Sequence, residues 1–500
     1  MFRRVLIANR GEIAIRIVRA CREEGIESVA VYSEADRESP HVRAADRAVL
    51  IGPAPSSESY LSTTAIIAAA RATSCDALHP GYGFLSENPA LARACEQEGV
   101  AFIGPPAEII ERMGSKIAAR ELMISAGVPV VPGVTSSDQS DRGIGAAADA
   151  VGFPVLVKAS AGGGGKGMRV VRDHDTARTL IPAARREAIA SFGDGTLYVE
   201  RLIERPRHVE VQVFGDAHGQ VVHLFERECS IQRRHQKVIE ESPSPALTPP
   251  LRAAMGAAAV AAARAAGYVN AGTIEFLLEG AGDAAQFYFL EMNTRLQVEH
   301  PVTEMVTGVD LVRAQFAIAA GGRLPWTQDS LAPRGHAIEC RIYAEDPADG
   351  FLPQAGRLLL YREPAGPGIR VDSGVVEGGI VSVHYDPLLA KLTASAESRD
   401  AAIARAASAL RAFPVLGIRT NVPFLIRLLD HPDIRAGRMH TRFIEEHASE
   451  LLAAADPPLE ALAAAALGSP DEATRPGGHD SSTPALADPW DTIPGWGRPR

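Results

Sequence analysis

Two acidic stretches in the second half of the chain have the residue types and spacing of a divalent-cation site. Glu275 lies in the apolar run TIEFLL, and Glu291 and Asn293 lie two residues apart at the end of YFLEMN. Side chains two apart in a strand project from one face, so Glu291 and Asn293 are expected to point the same way. Two carboxylates and an amide supply the hard oxygen ligands that suit Mg²⁺. A solvated strand face is the alternative, but burying these charges among apolar neighbours is costly without a cation.

The residues after Asn293 extend this polar row. In a single extended edge, Arg295, Gln297 and Glu299 would alternate onto the same side as Asn293. A guanidinium, an amide and a carboxylate beside a metal could hold a small oxyanion and remove its proton. A salt-bridged surface strand would explain any one of these residues, but it explains the whole row less well.

A glycine-rich run, Gly162–Gly165 followed by Lys166 and Gly167, comes directly after the predicted strand that carries Lys158. Glycines permit positive φ and let backbone N–H groups approach phosphate oxygens. The run is not a P-loop, because Ser160 and Gly167 stand where that motif needs a glycine and a hydroxyl residue. A flexible surface turn is the simpler alternative. A glycine loop that joins two strands beside a lysine instead predicts a mobile lid over nucleotide phosphates.

The segment Cys229–Glu241, CSIQRRHQKVIEE, is strongly basic and leaves two interpretations open. It combines Gln232, two arginines, His235 and Lys237 within a few positions. Such a run is commonly a solvated turn or the end of a helix. In an acidic protein it could equally line an anion pocket, and the segment alone favours neither.

Bulk properties exclude several classes of function. The net charge of −10 argues against nucleic acid or an anionic membrane as the main partner. No apolar run reaches the length of about 18 residues that a membrane span needs. The five cysteines form no CxxC pair, so neither a zinc motif nor a disulfide framework is predicted, and a reducing cytoplasm is the expected location. The start, MFRRVLIANRGE, does not have the pattern of a secretory signal.

Hydrophobic patterns predict an α/β fold in several parts. The first part alternates helices with short apolar runs, which predicts a doubly wound parallel sheet. Its predicted strands are Val5–Ala8, Ser28–Tyr32, Val49–Ile51, Ala77–His79 and Ala101–Ile103. The second part has strands of antiparallel, α+β character, including Gly272–Leu278 and Gln286–Met292 around a GAGD turn. A β-rich third part starts near Arg334, and the composition beyond about Ala453 becomes rich in Ala, Pro, Gly and Ser.

These patterns give four predicted regions. They are an N-terminal domain at residues 1–113, a second domain at 114–330 with a lid at about 131–203, a C-terminal domain at 331–446, and a low-complexity tail or linker at 447–500 that is expected to be disordered.

Several long motifs, taken in chain order, resemble the ATP-grasp superfamily and, within it, the biotin carboxylases. They are RVLIANRGEIAIRI (4–17), HPGYGFLSEN (79–88), KASAGGGGKGMR (158–169), RHVEVQV (207–213), ERECSIQRRHQKVIEE (226–241), EMNTRLQVEHPVTEM (291–305), HAIECRIYAEDP (336–347) and GIRTNVPFL (417–425). The resemblance covers roughly residues 1–446 without a change of order, and it implies an N-terminal Rossmann-like domain, an ATP-grasp domain and a C-terminal biotin carboxylase domain.

The resemblance implies a role for each matching residue. The ATP-binding residues would be Lys116, Lys158, Gly162, Gly163, Gly164, Gly165, Lys166, Gly167, Glu200, Arg201, Ile203, His208, Gln232 and His235. The metal ligands would be Glu275, Glu291 and Asn293, and the bicarbonate pocket would be Lys237, Arg295, Gln297 and Val298. Biotin would meet Tyr82, Arg295 and Arg341, and the catalytic residues would be Glu299 as general base, Arg295, Lys237 and Arg341. Two departures are mild: Arg201 stands where lysine is frequent, and GAGD (280–283) lengthens a turn.

The implied activity is ATP- and bicarbonate-dependent carboxylation of biotin, with Mg²⁺ or Mn²⁺. Glu299 would deprotonate bicarbonate, which would attack the γ-phosphorus of ATP to give carboxyphosphate and ADP. Carboxyphosphate would release CO₂ for attack by biotin, with Arg341 and Arg295 stabilising charge on the ureido oxygen.

The sequence contains no AMKM-like biotin attachment motif. We therefore expect a separate biotin carboxyl carrier protein and a separate carboxyltransferase, as the first half-reaction of an acetyl-CoA or acyl-CoA carboxylase. The resemblance also implies a homodimer, through the helix that carries Arg16, Arg19 and Glu23. The end DPWDTIPGWGRPR (488–500) resembles the entry to a further domain in longer acyl-CoA carboxylase α-chains, and a merely similar linker is an equal alternative.

Two rival functions are a different ATP-grasp ligase and an ATP-binding regulatory protein without activity. The first would not be expected to combine RLQVEHPVTE with ECRIYAEDP. The second is disfavoured because Glu275, Glu291, Asn293, Arg295 and Glu299 are all present.

Overall fold

The computed structural model describes residues 1–160 and 167–453, together with residues 459, 462 and 463. Its first part is the expected parallel sheet with the order β3-β2-β1-β4-β5, in which every pair is parallel. The elements are β1 (Arg4–Ile7), α1 (Gly11–Glu23), β2 (Glu27–Ser33), α2 (Pro40–Ala44), β3 (Arg47–Gly52), α3 (Thr63–Ala72), β4 (Ala77–His79), α4 (Pro89–Gln97) and β5 (Ala101–Phe102). The predicted strands are confirmed to within two residues at each end.

The strand order reverses beside β1. Chains leaving the carboxyl ends of β1 and β4 therefore diverge and leave a crevice, where open α/β sheets commonly bind ligands. Asn9 follows β1 and links it to the segment after β4: its Nδ2 donates to the carbonyls of Pro80 and Tyr82, at 2.8 and 2.7 Å. Tyr82 is thus held at the carboxyl edge of the sheet, which faces the rest of the chain.

The region predicted as a lid contains a small antiparallel sheet with the order β6-β9-β7-β8. Two helices, α5 (Ala107–Gly114) and α6 (Lys116–Ser125), precede it. Its elements are β6 (Gly133–Val134), α7 (Asp141–Val151), β7 (Val155–Ala159), β8 (Arg169–Val171), α8 (His174–Phe192) and β9 (Leu197–Arg201). The glycine run falls between the paired strands β7 and β8, which confirms that it joins two strands.

The described part of the glycine run is Gly167, because residues 161–166 lie outside the described residues. Gly167 has φ of +70°, and a Cβ there would lie 3.0 Å from the Cβ of Ala159. A side chain would therefore be strained by both backbone and neighbour. That the lid is mobile stays a prediction.

The largest sheet has eight strands in the order β14-β13-β10-β11-β12-β15-β22-β20, and every adjacent pair is antiparallel. Its first five strands are β10 (Arg207–Gly215), β11 (Val221–Arg233), β12 (Gln236–Ser242), β13 (Asn270–Glu279) and β14 (Gln286–Asn293). The helices in this part of the chain are α9 (Pro249–Ala266), α10 (His300–Thr307) and α11 (Leu311–Ala319). The predicted hairpin around the GAGD turn is confirmed as β13 and β14. Because β12 pairs with β15, the sheet continues without interruption past residue 330.

The remaining elements are β15 (His336–Tyr343), β16 (Glu345–Asp346), β17 (Leu352–Pro353), β18 (Gly356–Arg357), β19 (Leu360–Tyr361), β20 (Ile369–Ser373), β21 (Ile380–Val381), β22 (Leu388–Ala396), α12 (Arg399–Arg411), β23 (Val415–Leu416), α13 (Val422–Asp430), α14 (Pro432–Arg435), α15 (Phe443–Glu446) and α16 (Ala448–Leu451). Of these elements, β15, β22 and β20 complete the large sheet, and the other strands form three separate two-stranded sheets. Helix α12 packs on β22 and β15, and α1 of the first domain packs against β20.

All five cysteines are free and buried. Among the helices of the described part, none combines the length and apolar character that crossing a bilayer requires. The predicted start of the tail at residue 447 is wrong, because α16 follows and its Leu451 is buried in the core. Beyond residue 453 the tail lies almost wholly outside the described residues, so its disorder there stays a prediction.

Candidate active site

A row of ionisable side chains crosses four neighbouring strands of the large sheet. Glu291 on β14 pairs in register with Glu275 on β13, Glu275 pairs with Glu210 on β10, and Glu210 pairs with Arg227 on β11. Directly paired residues of antiparallel strands carry their side chains on the same face. Three carboxylates therefore share one face of the sheet, and only cations among them make this arrangement stable.

Lys237 on β12 supplies the central cation of this row. Its Nζ lies 2.6 Å from Glu210, 2.9 Å from Glu275 and 2.6 Å from Glu299. Burial would lower the pKa of Lys237, but the three carboxylates outweigh burial and hold its pKa well above the usual range. Lys237 is therefore charged, and it joins two strands of the row to the start of α10.

The basic segment that contains Lys237 is a β-hairpin. Strands β11 and β12 pair up to Arg233 and Gln236, and the turn at Arg234 and His235 has positive φ at both residues. The helix-end alternative is wrong, because the alternation of a strand sends Lys237 inward while the turn stays outside. Gln232 is buried and pairs with Lys237 in register, so it faces the same site.

The predicted metal ligands lie together at the end of the row. Asn293 Nδ2 donates to Glu275 Oε1 at 2.8 Å, and Lys116 Nζ lies 2.9 Å from Glu291 Oε2. Lys237 and His208 hold the pKa of Glu275 well below its usual range although burial would raise it, and His208 Nε2 lies 2.9 Å from Glu275. Two carboxylates and an amide oxygen fit a hard divalent cation. Such a cation would replace the lysine and histidine contacts now made by the acids.

Glu299 is completely buried between two cations. Lys237 Nζ approaches Oε1 at 2.6 Å, and Arg341 on β15 donates to Oε2 at 2.8 Å. Burial alone would raise the pKa of Glu299, but Lys237 and Arg341 outweigh it and hold the pKa well below its usual value. Glu299 is thus a carboxylate whose two oxygens face the two halves of the site.

The single extended edge from Glu291 to Glu299 is a wrong prediction. Strand β14 ends at Asn293, and Glu299 is the N-cap of α10 with φ of −80° and ψ of 11°. The chain turns because Pro301 occupies the first turn of α10, where its missing N–H costs nothing and its fixed φ favours helix. The side chains meet through this turn and not through alternation along one strand.

The residues of the row nevertheless form one hydrogen-bonded chain. Arg295 donates to Asn293 Oδ1 at 3.1 Å and to Gln297 Oε1 at 3.0 Å. Gln297 Nε2 then donates to Glu275 Oε1 at 3.1 Å. Glu87 from the first domain, which the sequence did not suggest, accepts from Arg295 Nε at 3.1 Å. This chain brings the predicted anion-binding residues next to the predicted metal ligands.

The predicted nucleotide residues approach from the small sheet. Lys158 on β7 is buried, and its Nζ lies 2.9 Å from Glu200 on β9. Arg120 on α6 donates to the other oxygen of Glu200 at 3.1 Å. Arg201 points elsewhere, forming two hydrogen bonds to Glu279 at 2.9 and 2.7 Å.

Three further residues of the predicted nucleotide set lie beside this group. Ile203 is buried just after β9, and His208 is buried on β10 against Glu275. His235 lies in the exposed hairpin turn, where partial burial of its ring and the nearby His208 and Lys158 lower its pKa. Gly162–Gly165 and Lys166 lie outside the described residues.

Tyr82 reaches the opposite end of the site. Its hydroxyl is buried and has no hydrogen-bond partner within the described ranges. Lys391 on β22, a residue that the sequence did not suggest, lies with Nζ 5.9 Å from the centroid of the Tyr82 ring. Lys391 also pairs in register with Arg341, so it joins Tyr82 to the Arg341–Glu299 pair.

Three family models match the chain in sequence. Residues 1–110 match the biotin carboxylase N-terminal domain, residues 115–327 the ATP binding domain of the carbamoyl-phosphate synthase L chain, and residues 339–446 the biotin carboxylase C-terminal domain. Together these matches cover most of the chain. The chain belongs to the biotin carboxylase family.

Relatives in this family are similar over nearly the whole described region. A biotin carboxylase of Halalkalibacterium halodurans is 52% identical over 447 residues, covering 89% of this chain and 98% of that protein. The alpha chain of mitochondrial methylcrotonoyl-CoA carboxylase from Rattus norvegicus is 52% identical over 450 residues, and the match covers 90% of this chain and 62% of that longer protein. The chain therefore spans less than two thirds of some biotin carboxylase relatives.

Solved biotin carboxylase structures have the same fold. The biotin carboxylase domain dimer of Hydrogenobacter thermophilus 2-oxoglutarate carboxylase, in complex with MgADP, ADP and bicarbonate, is 46% identical with a TM-score of 0.87, over 91% of this chain and 100% of that one. A biotin carboxylase complex with β,γ-ATP from Campylobacter jejuni is 44% identical with a TM-score of 0.87, over 89% of this chain and 99% of that one.

Several residues of this biotin carboxylase family site were missed from the sequence. They are Glu87, Arg227, Glu210, Lys391 and Glu240, the last of which is buried and accepts from Arg341 Nε at 2.5 Å. Glu210 and Glu240 had a usable signal, since each is a charged residue inside an apolar strand segment, VEVQV or VIEES. Glu87 and Lys391 had none, because their contacts join segments more than 90 residues apart.

Proposed function

We propose that this chain is a biotin carboxylase, which uses ATP and bicarbonate to carboxylate biotin on a separate carrier protein. The observation that carries the proposal is Glu299, an ionised and buried carboxylate that lies between Lys237 and Arg341. The lysine side leads to the anion-binding and metal-ligand residues, and the arginine side leads to Tyr82. One base between two cations can serve a reaction that couples an oxyanion to a second substrate.

Bicarbonate would enter between Lys237, Arg295 and Gln297. Their cationic and amide groups suit an oxyanion, and its arrival would draw Lys237 away from part of its carboxylate partners. Glu299 Oε1, freed from Lys237, would then accept the bicarbonate proton. The resulting dianion would attack the γ-phosphorus of ATP, forming the O–P bond of carboxyphosphate as the bond to ADP breaks.

The phosphates of ATP would lie against Lys116 and Lys158. Charge on the transferring phosphoryl group spreads over its oxygens, so positioned cations supply most of the catalysis. Mg²⁺ bound by Glu275, Glu291 and Asn293 would supply further charge neutralisation there. Glu200 would hold Lys158 and Arg120 in position until the nucleotide replaces one of these contacts.

Biotin would bind on the arginine side, with its ring against Tyr82 and its ureido oxygen facing Arg341. The guanidinium would stabilise the negative charge that builds on this oxygen when N1′ loses its proton. Phosphate released from carboxyphosphate would take that proton, and the ureido nitrogen would then form its bond to CO₂. Exclusion of water from the buried site would protect the labile intermediate.

The proposed partners are a biotin carboxyl carrier protein, a carboxyltransferase and a second copy of this chain. A biotin carboxylase of Halalkalibacterium halodurans, 98% of which is covered by this chain, supports a carrier on a separate chain. Relatives of similar length, such as a pyruvate carboxylase subunit of Methanothermobacter thermautotrophicus, also support a multi-chain enzyme. The dimeric biotin carboxylase domain from Hydrogenobacter supports the homodimer.

Glu299→Gln tests the proposal directly. The amide keeps the shape of the side chain but cannot accept the proton, so bicarbonate- and biotin-dependent ADP release should fall by about 10²–10⁴-fold. Nucleotide binding, measured as ATP-dependent thermal protection, should remain. Glu345→Gln is the matched control, because Glu345 is also buried and paired, with Arg233 at 3.1 Å, but lies outside the site. Wild-type turnover in Glu299→Gln would overturn the assignment of the base.

A further inference from the structure

The turn that precedes α10 contains two successive peptide groups whose carbonyls are held by buried side chains. The carbonyl of Gln297 accepts from His300 Nδ1 at 2.8 Å and from the His300 N–H at 3.3 Å. The carbonyl of the next residue, Val298, accepts from Lys391 Nζ at 2.6 Å. His300 and Lys391 are both completely buried.

Fixing these carbonyls also fixes the N–H groups on the other end of each peptide. In a planar trans peptide, C=O and N–H point in opposite directions. The N–H groups of Val298 and Glu299 must therefore point away from His300 and Lys391. Neither donates to a protein group within residues 1–160 and 167–453. Two adjacent free N–H groups at the start of a helix form a site for an anion.

We propose that Lys391 and His300 are positioning residues for the carboxylation reaction, holding the N–H groups of Val298 and Glu299 toward bicarbonate. The inference rests on the proposed function and names two residues that act on that site without touching the substrate. Because a carbonyl oxygen can only accept, Nδ1 of His300 carries a proton. Burial and the nearby cations Lys391 and Arg16 hold the pKa of His300 well below its usual value, so the imidazole is neutral.

Lys391 has the surroundings needed to stay charged in this position. Glu12 on α1 lies 3.2 Å from its Nζ, and burial is outweighed by Glu12, Glu339 and Asp372, so its pKa is raised above the usual value. A charged donor fixes a carbonyl more firmly than a neutral one. Through Glu12, the orientation of the turn also depends on the first domain.

The test is the Michaelis constant for bicarbonate in Lys391→Met. Loss of the charged hydrogen bond should raise the KM for bicarbonate by about tenfold or more, while the KM for ATP changes by less than about twofold. Arg399→Met is the matched control, since Arg399 is also a cation that donates to backbone carbonyls, those of Arg435 and Ile434 at 2.7 Å, but lies outside the site. This control should leave the bicarbonate KM unchanged.

A pair of His300 variants tests the hydrogen bond to the carbonyl of Gln297. The pair also keeps the inference testable if Lys391→Met does not fold. The amide nitrogen of His300→Asn can replace the Nδ1 donor, so it should stay near the wild-type bicarbonate KM, whereas His300→Leu should raise it. A bicarbonate KM that is unchanged in Lys391→Met, or equal in the two His300 variants, would overturn the inference. If the wild-type protein itself shows no bicarbonate-dependent ADP release, the proposed function fails instead.

Discussion

The parallel and the antiparallel sheet carry their polar residues in opposite places. In the parallel sheet, β1 and β4 are buried and nearly free of charge, and the polar groups come after the strands, as at Asn9 and Tyr82. In the antiparallel sheet, charged residues such as Glu210, Glu275 and Arg227 lie in the middle of the strands. The first sheet is held by apolar packing, and the face of the second depends on a balance of charges.

The largest effect is expected from breaking that balance at Arg227. Its guanidinium is fully buried and also donates to Gln212, Thr303 and Thr273, at 2.7, 2.9 and 3.0 Å. Arg227→Leu would leave Glu210 short of one cation and should lower the free energy of unfolding by about 3–5 kcal/mol, measured by urea denaturation. Arg71→Leu in the first domain removes an exposed pair with Glu98 and should cost only about 0–1 kcal/mol. Similar losses in both variants would contradict the comparison.

The next largest effect is expected from Glu275→Gln, which should weaken the binding of Mg²⁺. Removing one of two carboxylate ligands should lower the apparent affinity for Mg²⁺ about tenfold to a hundredfold, measured by titrating ADP release with Mg²⁺. Glu279→Gln, four residues along β13 and paired with Arg201, should leave the Mg²⁺ midpoint in place. An unshifted midpoint in Glu275→Gln would remove Glu275 from the ligand set.

The two sheets should lose stability at opposite ends of the pH range. Burial raises the pKa of Glu240 on β12 to about 8 although Arg341 opposes it, and burial lowers the pKa of His79 on β4 to about 3. Folded Glu240 retains a proton that the unfolded chain has released, so its contribution to stability falls as pH rises from about 4.5 toward 8. Below about pH 6.5, His79 binds a proton in the unfolded chain but stays neutral in the folded one, so its contribution to the free energy of unfolding falls as the pH drops.

Urea midpoints across this pH range measure both effects. Glu240→Gln should flatten the decline on the alkaline side, and His79→Asn should flatten the decline on the acid side. Each variant is the control for the other. An identical pH profile in both would show that these groups do not govern the two sheets.

The smallest effect is expected at Arg201. Its pair with Glu279 is about one third exposed on each side. Arg201→Lys restores the residue that is frequent in the family and exchanges two parallel hydrogen bonds for one, so stability should change by about 0–1 kcal/mol. The KM for ATP should change by no more than about threefold. A larger rise in that KM would mean that Arg201 leaves Glu279 to contact the nucleotide.

The strands of both sheets were predictable because their periodicity is local. Val5–Ala8 and Gln286–Met292 differ from the observed strands by at most one residue at each end. The turn at Val298 and Glu299 was not predictable, because the alternation of Arg295, Gln297 and Glu299 fits a strand as well as it fits the observed turn. Lys391 could not be found from its neighbours, because its importance lies in contacts with Glu12 and Val298. The roles of the individual site residues stay predictions until they are measured.

The pairing of β12 with β15 has a consequence for how the chain is made. A chain that has been synthesised only as far as residue 330 has β12 as a free strand edge, with its hydrogen-bonding groups exposed and its Glu240 lacking Arg341. Free edges recruit other strands, so this intermediate is exposed to aggregation. The emergence of β15 from the ribosome covers that edge and gives Glu299 its second cation, but the free edge then passes to β15 until β22 pairs with it. The catalytic centre therefore gains Arg341 before the sheet reaches its final edge strand.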